Sequence, residues 1–118
     1  MKHMNRNPID IINEDLSLDV GVGATYYSGS DAYPYYVSEL LPNGVIGLYS
    51  PESWFDDKHP MYFGSLVVAP FNPKTPSSIY IKRLYGHWWR CEKNGKRIQR
   101  WHSISFGHAE SYLDIGFD

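Results

Sequence analysis

From Val20 onward the chain never sustains a helical period; short apolar or alternating runs are separated instead by clusters of Gly, Pro, Asn and Ser. This punctuation is the signature of consecutive strands and turns, because a strand needs only a few residues at a period of two, whereas a helix needs an apolar stripe sustained over a longer run. The pattern predicts strands over 22–27, 35–41, 45–50, 64–69, 79–84, 87–91 and 102–106. Asn43-Gly44, inside Leu41–Val45, offers the positive φ angles of a tight primed hairpin turn, and further turns are expected at 85–87 and 93–96. Within 87–91, alternation places His87, Trp89 and Cys91 on one face and Trp88 and Arg90 on the other, so one of the two adjacent tryptophans is left at a surface or groove. Ahead of the strands, Asn7 is placed to cap a helix with Pro8 in its first turn and Ile9, Ile12 and Leu16 at helical spacing, which predicts a short helix or packed arm within residues 1–19. The expected fold is therefore all-β and mainly antiparallel, a single domain in which residues 20–118 form a small twisted sheet or an SH3-like barrel behind an N-terminal arm.

A chain of 118 residues supports one hydrophobic core, and its 42% hydrophobic and 20% charged content is that of a globular domain rather than a disordered or membrane protein. No apolar run approaches the roughly 18 residues of a membrane span, and the N-terminus lacks the order of a secretory signal. The single cysteine, Cys91, allows neither an intramolecular disulfide nor a multi-cysteine zinc site. A cytoplasmic protein with no membrane association is expected. Lys2 and His3, ahead of a second methionine, are assigned no function. Charge is uneven: residues 1–62 carry three bases against nine acids, while 63–118 carry eight bases against four acids, with Glu92 the only acid in 74–102. Five of the eight prolines fall in 51–78, among Trp54, Phe55, Tyr62, Phe63 and Phe71, which predicts long ordered excursions around one strand.

Catalytic patterns are missing. Gly21-Val22-Gly23 precedes a strand rather than a helix, and the Lys-Ser/Thr pair of a phosphate-binding loop does not follow it. His102 and Ser103 are strand neighbours whose side chains point to opposite faces, so they do not share a proton. Cys91, in a tryptophan-flanked strand, is expected to be a small core residue. His59, His87, His102 and His108 show no ligand spacing, and Asp56-Asp57 is not followed by alternating oxygen donors, so no metal and no cofactor is expected.

What remains is aromatic and basic. At 24–37 the sequence ATYYSGSDAYPYYV sets tyrosine pairs on the two shoulders of what reads as a flexible polar loop. Tyr26, Tyr27, Tyr33, Tyr35, Tyr36, Trp88, Trp89 and Trp101 offer flat faces for stacking; Lys82, Arg83, Arg90, Lys93, Lys96, Arg97 and Arg100 offer phosphate contacts. The same residue types anchor protein interfaces.

The stretch 21–44 resembles the start of a group of small phage and prophage proteins, in which a Gly-x-Gly-Ala-Thr strand leads to a Ser-Asp-x-x-Pro loop and a valine-bearing strand; here these are Gly21–Thr25, Ser30–Pro34 and Val37. The basic strand, turn and tryptophan of IKRLYGHWW and the aromatic tail SISFGHAESYLDIGF are similar to the C-terminal pattern of that group, and Ala32 stands where a larger polar or basic side chain is expected. The resemblance implies a mobile-element setting and brings no established activity with it. In that setting, with catalytic patterns missing, the expected function is a non-enzymatic binding protein that antagonises a bacterial host defence system, by sequestering a nucleotide signal or by blocking a host protein, in the cytoplasm of the bacterial host cell. The expected binding surface comprises Tyr26, Tyr27, Asp31, Tyr33 and Tyr36 from the loop region with Trp88, Arg90, Arg97 and Trp101 from the basic strands. The alternative is a small nucleic-acid-binding β-barrel, and a self-associating homo-oligomer is compatible with either.

Overall fold

The computed structural model describes residues 18–55, 65–101 and 103–112, so the expected N-terminal helix falls almost wholly outside the described residues, as do His102 and the aromatic tail after Tyr112. The described residues form an all-β structure of ten strands: β1 Gly23–Ser28, β2 Asp31–Leu40, β3 Ile46–Tyr49, β4 Ser53–Trp54, β5 Ser65–Val68, β6 Ile79–Leu84, β7 His87–Cys91, β8 Arg97–Arg100, β9 Ile104–Gly107 and β10 Ser111–Tyr112. Every ladder is antiparallel.

β2 organises the sheet. One edge pairs with β1 from Asp31 to Tyr36, and β1 in turn carries β9. The other edge is shared: β10 pairs at Ala32, while β3 pairs from Tyr36 to Leu40 and leads on through β6 and β7 to β8. Pro34, mid-strand, sits between these two partners. The Val37 amide donates to the Val22 carbonyl (2.9 Å), which fixes the parity of the β1–β2 ladder and points the position-34 nitrogen away from β1, toward the gap, where a missing N–H breaks no ladder bond. The sheet is open rather than a closed barrel. Three arms leave β2 and end at β4, β8 and β9; the Trp101 amide donates to the Trp88 carbonyl (2.9 Å) and the Tyr27 amide to the Ser103 carbonyl (2.8 Å).

Two sequence expectations about turns are corrected. The polar insert between the tyrosine pairs is not a flexible loop: Ser28 pairs with Asp31, leaving a two-residue turn at Gly29-Ser30, and Tyr33, Tyr35 and Tyr36 are strand residues of β2. The Asn43-Gly44 hairpin forms, but not with a primed turn. The Gly44 amide donates to the Leu41 carbonyl (3.0 Å), the Leu41 amide donates to Val45 (2.9 Å), and Gly44 takes φ +81° while Asn43 stays at negative φ. This is a three-residue loop closed by a left-handed glycine, for which Pro42 pre-sets the first φ. Glu92–Lys96 repeats the design, with Gly95 at φ +94°. Both positive angles of a primed turn occur instead at Tyr85 (φ 52°) and Gly86 (φ 78°), between β6 and β7.

The core lies on one face of the sheet and comprises Leu18, Val37, Ile46, Leu48, Ile81, Trp88 and Trp101, with Val22, Tyr26, Tyr35, Ile79, Ile104 and Phe106 packed against it. Trp88 meets Phe106 with ring centroids 5.2 Å apart. On the opposite face, Thr25 is buried and satisfied in both senses, donating to His108 O (2.8 Å) and accepting from the Glu110 amide (2.9 Å). Tyr36, Tyr49 and Phe71 cluster there, and the Tyr36 hydroxyl donates to Ala69 O (2.8 Å) while Tyr49 Oη accepts from the Asn72 amide (2.7 Å). These contacts pin residues 69–72 of the proline-rich segment to the back of β2 and β3, while residues 56–64 of the expected excursion lie outside the described residues. Ala32 is buried, opposite Tyr27 of β1 on one side and Tyr112 of β10 on the other.

Candidate binding site

The pleat divides the tyrosines between two faces. Tyr26 lies opposite Tyr33 in the ladder, and Ala24 opposite Tyr35, so Tyr26, Tyr33 and Tyr35 share the core-side face of the β1–β2 ribbon, whereas Tyr27 and Tyr36 turn to the other. On the first face the chain after β8 brings Trp101 against them. The Tyr26 ring stacks on Trp101 at 4.3 Å and 10°, and Tyr35 meets the same indole edge-on at 5.4 Å and 73°. Beside them is a recess of about 250 Å³ lined by Tyr26, Ser28, Tyr33, Tyr35, Ile79, Arg90 and Trp101.

Arg90 supplies the charge. On β7 it faces the same way as Trp88, as alternation requires, and no ion pair joins it to another described residue. Burial pushes the Tyr35 phenol above its ordinary range and the Arg90 guanidinium draws it partly back, so the phenol stays protonated at neutral pH and serves as a donor beside a fixed cation. At the rim, the Tyr33 hydroxyl donates to Asp31 Oδ2 (3.3 Å), whose charge raises the Tyr33 phenol.

The expected site is thus only partly assembled. The recess gathers Tyr26, Tyr33, Arg90 and Trp101, with Asp31 reaching it through Tyr33. Tyr27 and Tyr36 line a larger recess of about 500 Å³ on the opposite face, where Tyr27 donates to Glu110 Oε2 (3.2 Å) and Glu110 Oε1 lies 2.9 Å from His108 Nε2. Its lining mixes Tyr27, Tyr36, two serines and small or aliphatic residues, and Glu110 is its one charged side chain among the described residues. Trp88 is a correction: like Trp101 it is buried in the core, at 7% and 6% exposure, but only Trp101 borders the recess, and Trp89 is the tryptophan left outside. Arg97 is not near the recess; it lies over Trp89 at 5.0 Å on the outer face of β7 and β8. Ser28 and Ile79 were not signalled as site residues by their types, but Tyr35 was recoverable, being two residues from Tyr33 on the same strand face. Cys91 is buried, as a core thiol should be.

In comparisons with known proteins, the chain matches no family model, no curated protein and no solved structure.

Proposed function

We propose that this chain is a non-enzymatic binding protein of phage type that captures a small nucleotide signal in the recess between β1, β2, β7 and Trp101, and so antagonises a bacterial host defence system in the host cytoplasm. The observation that carries the reading is Arg90: a guanidinium set beside Tyr26, Tyr35 and Trp101 with no carboxylate of the described residues to neutralise it. Aromatic faces and edges suit a planar base, and a guanidinium suits a phosphate bidentately. The recess, at about 250 Å³, lies just under the roughly 300 Å³ at which sites for drug-sized ligands begin. It fits one nucleoside moiety, leaving the phosphates at the rim with Arg90. Capture needs no general base or nucleophile.

The test is the thermal shift of the purified chain against linear and cyclic nucleotides. One small nucleotide is expected to raise Tm at physiological salt, by the equivalent of about 2.7 kcal/mol when present at a hundred times its Kd. Arg90→Gln should weaken that binding by roughly ten-fold or more, the loss of a charge-assisted contact, while moving the Tm of the free protein little. If no nucleotide shifts Tm, the recess is not a nucleotide site, and the blocking of a host protein becomes the reading to pursue by affinity capture.

A further inference from the structure

A second surface lies on the outer face of β6, β7 and β8, turned away from the recess. Two ring–guanidinium pairs are stacked along β7. Arg97 lies over the Trp89 ring at 5.0 Å. Arg100 Nη2 approaches both nitrogens of His87, at 3.0 and 3.1 Å, which places the guanidinium against the imidazole face rather than on one lone pair. Lys82 is opposite Trp89 in the β6–β7 ladder and so shares this face. No ion pair joins Lys82, Arg97 or Arg100 to another described residue.

Tyr85 stands at the tip of the β6–β7 hairpin, beside the outer face. It is 90% exposed, so its ring contributes almost no burial, and it holds φ 52°, where asparagine or glycine is favoured and a bulky residue is strained. A residue that strains the backbone and buries nothing points to a contact outside the chain. We propose that Tyr85, the His87–Arg100 pair and the Trp89–Arg97 pair form a binding surface for single-stranded nucleic acid, with Lys82 as a further phosphate contact.

The chemistry favours that ligand. Exposed guanidinium planes and a free phenol ring accept bases by stacking while the same guanidinium groups neutralise phosphates. Alternate residues along a strand are about 6.7 Å apart, too wide for bases stacked on one another as in a duplex, but suited to bases splayed one per platform. A sheet face has no helix to enter a major groove, and the net charge of −2 disfavours general duplex binding.

Fluorescence anisotropy with a labelled ten-nucleotide oligothymidine reads this surface directly. Binding is expected at low salt, weakening as salt rises with a log–log slope of about −2, the value for three phosphate contacts on a single strand. Tyr85→Asn should raise Tm, because asparagine suits the turn, and at the same time weaken oligonucleotide binding about five-fold or more. Arg97→Gln with Arg100→Gln should flatten the salt slope to about −0.7. Absence of binding at low salt would overturn the proposal, as would equal competition by polyglutamate, which would mark a site for acidic proteins. A fall in Tm for Tyr85→Asn with binding unchanged would make the tyrosine structural and overturn its role.

Discussion

Trp88 and Trp89 are identical side chains on adjacent residues, and the pleat gives them opposite environments. Trp88 is buried against Phe106 and under Arg83, whose guanidinium carbon is 5.7 Å from the ring. Trp88→Ala should therefore cost about 3–5 kcal/mol, measured by urea denaturation, and the variant serves as a stability control rather than a site probe. Trp89 is half-buried, and its Nε1 donor is buried without a partner among the described residues. Cys91, on the Trp89 face, carries a pH dependence. Burial pushes its thiol above the ordinary value and Lys82 only partly offsets this. The folded state thus holds its proton more tightly than the unfolded chain; the associated stability is complete below the unfolded thiol pKa and is lost as pH rises through the folded one. Native protein should resist thiol alkylation at pH 8 and react readily in denaturant, and Cys91→Ala should show a shallower loss of stability between pH 8 and pH 10.

Elements differ in how clearly the sequence marks them. β6 and β7 stand at their expected bounds, marked by β-branched and aromatic residues between the Pro-Ser stretch, the Tyr85-Gly86 turn and the Asn94-Gly95 turn. β8 was not expected: Arg97–Arg100 is exposed at every position, so it has no apolar phase, and its ladder to β7 alone makes it a strand. The early half of β2 was hidden by Pro34 and by the polar Ser28–Asp31 stretch, whose tightness depends on a pairing that composition does not reveal. β4 and β10, two residues each, are likewise invisible to a periodicity test. Contact between elements also constrains β1. A Cβ added at Gly23 would stand 2.5 Å from the Ala109 nitrogen and 2.7 Å from the His108 carbonyl carbon, both backbone atoms. Gly23→Ala should push the segment after β9 off β1 and cost about 2 kcal/mol or more, read as a fall in the denaturation midpoint, because neither backbone can swing aside as a side chain would.

At the scale of the molecule, composition shows the abundance of aromatic and basic residues but not their division among faces. The pleat places Tyr26, Tyr33 and Tyr35 with Arg90 on one side, Tyr27 and Tyr36 on another, and Arg97 and Arg100 on the outward face of the last strands. Residue types alone suggested one patch because strand register, which assigns each residue its face, depends on pairings distant in sequence. The pinning of Ala69 and Asn72 by tyrosine hydroxyls was equally beyond sequence, since it joins residues whose types fit many partners. The forked edge of β2 has a separate implication for how such a chain can change over time. Because β10 and β3 engage that edge on either side of Pro34, the short β4–β5–β10 arm is attached without being threaded through the hydrogen bonds of the β3–β6–β7–β8 arm. A change of length in that arm leaves the register of the remaining ladder untouched, so three of the ten strands are free to vary without disturbing the other seven.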